Sequence, residues 1–169
     1  MSSFRLMGSL SSLVASVVAA SLLLTGCYSF SGSTLPSHLR TIQIHPVENK
    51  TLQAALPDRV TRGLQDGFRS RSNLRQVNQN GNAELFGTLI QYSHTPQSTA
   101  GADVTTWRVD ILFKVMFVDR VRRDTLYNNA AVQGYGAYTP DKGETEETGQ
   151  ARAIANLVQT IVDNTVLAW

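Results

Sequence analysis

The chain contains a single cysteine, and its neighbours decide what that thiol can do. Residues 22–27 read Leu-Leu-Leu-Thr-Gly-Cys, with an apolar residue three before Cys27 and small residues directly before it. This is the pattern of a lipobox, in which the thiol is acylated and the cysteine becomes the mature N-terminus. Upstream, Arg5 and the apolar run 10–24 supply the remaining parts of a processing signal. That run falls short of the ~20 residues a membrane span needs, and Ser11, Ser12, Ser16 and Ser21 dilute it. A lone cysteine has no disulfide partner within the chain. Position +2 is Tyr28 and not Asp, which favours export to the outer membrane over retention in the inner one. The expected organisation is a signal peptide at 1–26, a lipidated tether at 27–38 and one domain at 39–169.

Other residue types that carry chemistry are scattered. His38, His45 and His94 have no helical metal-ligand spacing, and without a second cysteine no zinc site is expected. There is no Gly-x-Ser-x-Gly elbow and no phosphate loop. Asp119 and Asp124 bracket a turn, a common place for Asp. The acidic group Glu144, Glu146 and Glu147 suits the positive end of a helix better than a metal. No enzyme, cofactor or metal is expected, because catalysis requires convergent, positioned groups. Removing residues 1–26 takes away one of the 15 basic residues, leaving 14 against 13 acidic ones, a net charge of +1. Nucleic-acid binding, which needs a large cationic excess, is excluded. The cations are clustered, however: Arg59, Arg62, Arg69, Arg71 and Arg75 in one stretch, and Arg120, Arg122 and Arg123 in another.

Periodicity indicates the elements that would position these groups. Residues 28–38 are Ser/Gly-rich and read as a tether. Residues 39–47 form a first strand, ended by Pro46, with a loop at 48–51. Pro57 suits a first helical turn, and Leu56, Val60, Leu64 and Phe68 give one apolar stripe on a helix running to about Arg71. Gly63 and Gly67 flank that stripe, as close packing of the helix on a sheet would require. Residues 74–77 are a short strand, 78–82 a turn, and 83–92 another strand in which Gly87 marks a bulge or a close approach. The two pieces within 74–92 could form one hairpin. Residues 93–104 read as a long polar loop. Trp107, Val109, Ile111, Phe113, Val115 and Phe117 then alternate with Arg108, Asp110, Leu112, Lys114, Met116 and Val118, the mark of a long strand with one buried face. Its other face is polar at the start and apolar towards Val118. After a turn at 119–124, residues 125–134 return as a hairpin partner, and a helix at 144–167 carries the stripe Ile154, Leu157, Val158, Ile161, Val162 and Val166. The expected fold is α+β, with two helices on one face of a four-stranded, mixed but mainly antiparallel sheet.

The order of local pieces resembles a known family. They are Gly26-Cys27-Tyr28-Ser29-Phe30, Leu35-Pro36-Ser37-His38-Leu39, Thr41-Ile42-Gln43-Ile44, and Pro46-Val47-Glu48-Asn49-Lys50-Thr51. Ala83-Glu84-Leu85-Phe86-Gly87-Thr88-Leu89-Ile90 and Val115-Met116-Phe117-Val118-Asp119 follow. Together they are similar to the LptE-type lipopolysaccharide-assembly lipoproteins. The resemblance implies a plug inside a large outer-membrane β-barrel, LptD. It implies help with that barrel's folding, contact with lipopolysaccharide, and a location on the periplasmic face of the outer membrane. No glycolipid-binding residue carries over from the family position by position. Arginine and lysine are the natural partners of lipid A and core phosphates, so Arg108 and Lys114 on the less buried strand face, with Arg120, Arg122 and Arg123 at its tip, are the candidate contacts with the barrel or the glycolipid. A structural or adaptor lipoprotein with a different envelope partner is the alternative.

Overall fold

The computed structural model describes residues 35–100 and 103–167, all within one compact unit, Gly32–Trp169. Cys27 and the expected signal peptide and start of the tether lie outside the described residues. The elements in chain order are β1 (Thr41–Ile44), β2 (Glu48–Asn49), α1 (Leu56–Arg71), β3 (Arg75–Gln76), β4 (Ala83–Ala100), β5 (Asp103–Asp119), β6 (Asp124–Tyr138), a 3-10 turn (Pro140–Lys142) and α2 (Glu146–Val162). A single π-type turn, Asp163–Leu167, follows α2.

The α+β class holds, but the sheet has six strands, ordered β3-β1-β4-β5-β6 with β2 also on β4. The additional pairing is too short for periodicity to reveal. After Pro46, Glu48 and Asn49 pair in parallel with Thr88 and Leu89, so the expected 48–51 loop begins as a strand. The expected 74–92 hairpin is absent. Both β3 and β4 run parallel to β1 and lie on opposite sides of it, so they cannot be antiparallel neighbours. The antiparallel character comes from β4-β5-β6.

Residues 93–104 are the largest departure from the sequence reading. They continue β4 and begin β5 as a two-stranded arm. An 18-residue strand extends ~60 Å, whereas a 16-residue helix covers only ~24 Å. The arm therefore outruns the helices and has nothing to bury, so no apolar alternation marks it. Register shifts at Pro96/Ser98 and Ser98/Thr99 accommodate the proline, which cannot donate to the ladder.

Both helical stripes are buried as expected. Phe68 on α1 meets Phe117 on β5, with ring centroids 6.2 Å apart. Gly63 and Gly67 face α2 and not the sheet. A Cβ on Gly67 would sit 2.5 Å from Val158 Cγ1, and one on Gly63 3.1 Å from Ile154 Cγ2. Gly87 is a close approach and not a bulge, because the Phe113 ring lies over it; the register shift comes later, at Leu89/Gln91. α2 starts at Glu146, capped by a reciprocal Thr145–Thr148 box, so Glu144 precedes the helix. Glu144 instead clasps Arg152, with Oε1 accepting from Nη2 at 2.6 Å and Oε2 from Nη1 at 3.0 Å. These bonds and the Thr139 amide hold its carboxyl down to about 2.

Candidate functional site

Strand β5 divides the molecule into two surfaces. Val109, Ile111, Phe113, Val115 and Phe117 point into the core beneath the helices and are sealed. The intervening residues point the other way, where no described element covers them. Directly opposed residues of antiparallel strands share a face, so register assigns the neighbours. Phe86 lies opposite Met116, Thr88 opposite Lys114 and Thr95 opposite Arg108 on β4, while Tyr135 lies opposite Asp110 on β6. The open face is thus a mixture of half-buried apolar groups, Phe86, Leu112, Met116 and Val118, among charges.

A groove of about 430 Å³ lies at the β2 side of this face, lined by His45, Glu48, Phe86, Thr88, Lys114 and Met116. His45 stacks on Phe86 with centroids 4.3 Å apart and planes 11° from parallel. Thr88 donates to Glu48 at 3.1 Å. The Lys114 side chain is exposed and makes no ion pair or hydrogen bond among the described residues. Glu84 links groove to hairpin, meeting His45 Nε2 at 3.3 Å and Arg120 Nε at 3.2 Å.

At the β5–β6 tip, Asp119 is buried and organises the turn. Its Oδ1 accepts the Val121 and Arg122 amides at 2.8 and 3.0 Å, and Oδ2 accepts the His38 ring at 2.5 Å. Burial raises its pKa, but the Arg122 amide, the His38 ring and the Val121 amide together outweigh burial and hold the carboxyl below its ordinary value. Arg123 takes the left-handed backbone conformation (φ 59°) that closes the turn. The side chains of Arg122 and Arg123 project without an ion-pair partner among the described residues. His38, read from the sequence as tether, is therefore docked. Leu35 packs against the core and Leu39 is buried beside it.

The five sequence-nominated cations do not form one site. Arg108 is 12 positions from Arg120 along an extended strand, ~40 Å. Arg108 is also already occupied: its Nε donates to both Asp110 oxygens at 2.9 and 3.0 Å, and its guanidinium sits 4.7 Å from the Tyr135 ring centre. Lys114 belongs to the groove, while Arg120, Arg122 and Arg123 belong to the tip. Sequence reasoning missed His38, His45, Glu84 and Phe86, which reach these places only through β1–β4 pairing and the docking of the N-terminal segment. The apolar drift of the outer β5 residues towards Val118 was the one local signal of the groove.

At the opposite end, Tyr92, on the arm side of β4, donates to Glu146 and accepts from Gln150 at 3.0 Å. Its hydroxyl pKa is driven far up by burial and then by the Glu146 bond. His94 Nε2 meets the Tyr138 hydroxyl at 2.8 Å, and its ring lies 4.6 Å from that of Trp107. This network ties the arm to the start of α2. Among the described residues no group of three His, Cys, Asp or Glu could hold a metal, and no helix is long and apolar enough to cross a membrane.

No curated protein matches the chain. Among solved structures, the hypothetical protein CT253 from Chlamydia trachomatis is similar, at 8% identity and TM-score 0.53, covering 75% of this chain and 97% of that one. The uncharacterized lipoprotein B from Nitrosomonas europaea, solved by NMR, is similar at 13% identity and TM-score 0.51, covering 76% and 81%. At such identities the likeness is one of fold. The family model described as LptE, lipopolysaccharide-assembly, matches residues 39–165, which is nearly the whole described domain. The chain therefore belongs to the LptE lipopolysaccharide-assembly family.

Proposed function

We propose that the protein is an outer-membrane lipoprotein, anchored at the periplasmic face by acylated Cys27, that seats as a plug in an LptD-type β-barrel. There it helps the barrel assemble for insertion of lipopolysaccharide into the outer leaflet. The observation that carries this reading is the family match over 39–165. The open sheet face supports it. A sheet sealed on one side by helices and left with half-buried Phe86, Leu112 and Met116 among charges on the other offers the mixed apolar and polar surface on which a partner can close. In this reading Arg108 and Lys114 contact the barrel wall along the face, and Arg120, Arg122 and Arg123 form the phosphate-facing end. The work is done by surface contact and not by a reactive group.

Co-purification of the tagged, full-length protein under mild detergent tests the reading. A barrel of LptD type is the expected partner, and depletion of the lipoprotein should impair that barrel's assembly. Recovery of a different envelope protein in its place establishes the adaptor alternative.

A further inference from the structure

The register places several termini at one end of the domain. Ala83 at the start of β4 pairs with Asp119 at the end of β5, which pairs with Asp124 at the start of β6. Thr41 at the start of β1 pairs with Arg75 just beyond the end of α1. Four exposed arginines gather here, Arg40, Arg75, Arg122 and Arg123, none with an ion-pair partner among the described residues. Most acids of this end are already engaged. Asp119 is sealed by His38 and the turn amides, Glu84 by His45 and Arg120, and Asp163 by Arg71 at 3.1 Å. Asp124 is the exposed exception. The opposite end carries Asp141, Glu144, Glu146 and Glu147 beside Arg59, Lys142 and Arg152; there Arg59 donates to Gln150 and Arg152 clasps Glu144. Of the guanidinium groups at the two ends, those without a partner among the described residues therefore collect at the first.

The N-terminal segment leaves from the basic end, because the His38–Asp119 bond fixes its last turn against the hairpin tip while Leu35 packs on the core. Leu35 is eight residues from Cys27, so an acyl anchor there can stand no more than ~28 Å away. We propose that this end is a head-group docking face, on which Arg40, Arg75, Arg122 and Arg123 bind the phosphates of anionic phospholipids in the leaflet that carries the anchor. The inference rests on acylation of Cys27, and it commits the phosphate-facing tip to one source of phosphate. Acyl chains hold the protein on the bilayer, and the guanidinium cluster sets which end of the domain lies down on it. The opposite end then points away from the anionic surface.

The test uses the mature, lipidated protein with an environment-sensitive fluorophore on a single introduced cysteine, Val121→Cys, at the exposed tip. It is reconstituted into vesicles of phosphatidylcholine alone or with added phosphatidylglycerol. Docking predicts at least a ~2-fold fall in acrylamide quenching of the label on phosphatidylglycerol vesicles, reversed at high salt. The combined change Arg40→Gln, Arg75→Gln, Arg122→Gln and Arg123→Gln should abolish the fall while leaving circular dichroism unchanged. Acylated protein whose quenching is the same on both vesicles overturns head-group docking and leaves the anchor standing. An N-terminal peptide mass without acyl chains overturns the anchor, and the inference with it. A response to vesicles containing lipopolysaccharide but none to phosphatidylglycerol overturns the phospholipid assignment in favour of the glycolipid.

Discussion

Strand β5 presents two faces made by the same 17 residues, and they have opposite fates. On one, Val109, Ile111, Phe113, Val115 and Phe117 are closed off by α1 and α2. On the other, Leu112, Met116 and Val118 share space with Arg108, Asp110 and Lys114 and are covered by no described element. Burial of the first face stabilises the monomer. Partial exposure of the second forgoes such stabilisation, and an apolar residue left half-open among charges is what a surface shaped for another molecule retains. The contrast separates residues that hold the fold from residues available for contact.

The sharpest way to break that contrast is to truncate one residue from each face. Phe113→Ala should cost about 3–5 kcal/mol in chemical denaturation, because it removes a fully buried ring that also lies over Gly87. Met116→Ala should cost no more than about 1 kcal/mol in the same melt, as for a residue outside a sealed core. Equal costs would mean that the open face belongs to the core. Gly136→Ala comes next, at about 1–3 kcal/mol, because its Cβ would meet the Gly149 carbonyl and lie 2.6 Å from the Ala153 nitrogen, backbone that cannot rotate aside. A thermal melt that leaves the variant unshifted would show that α2 is free to lift off β6.

Asp119→Asn tests the hairpin tip, where both faces end. Loss of the carboxylate that serves His38 and two amides should cost about 1–3 kcal/mol. The effect depends on pH. The folded carboxyl binds its proton less tightly than the unfolded one, so its stabilisation is complete above the ordinary aspartate value of about 4 and is lost as pH falls through the lower folded value. Between neutral pH and about pH 3 the wild type should therefore lose more stability than Asp119→Asn, measured by melts across that range. The smallest stability effect belongs to the tip arginines. Replacing Arg120, Arg122 and Arg123 together with Glu should change stability by less than about 1 kcal/mol, as exposed charges do. The same variant should lose its response to phosphatidylglycerol vesicles or co-purify poorly with the barrel; unchanged behaviour in both assays removes the tip from the contact surface.

Much of the domain was legible because burial writes a period into sequence. The stripes Leu56, Val60, Leu64, Phe68 and Ile154, Leu157, Val158, Ile161, Val162, Val166 located both helices, and the alternation from Trp107 to Val118 located β5 and its inner face. The arm at 93–104 was missed because most of an extended hairpin that reaches past its helices buries neither face, and backbone pairing with a few polar side-chain bonds holds it. β2 was missed because two residues carry no period. The candidate cations lie on the open face and at the tip, Arg108 half-buried, but their scatter along one strand carries weight only with the pairing of Arg108 to Asp110 and the lack of partners for Arg122 and Arg123 among the described residues.

By itself the sequence determined the class of the fold and which face of α1, β5 and α2 would be buried, because those depend on the spacing of side chains along one segment. It also supplied the expectation of acylation at Cys27, which lies outside the described residues. The tertiary structure decided where separate segments meet: His38 on Asp119, Glu84 between His45 and Arg120, and Arg40 before β1, Arg75 of β3 and the hairpin arginines at one end. Those meetings depend on strand order and register, which arise from contacts between residues far apart in the chain and leave no local periodicity to read.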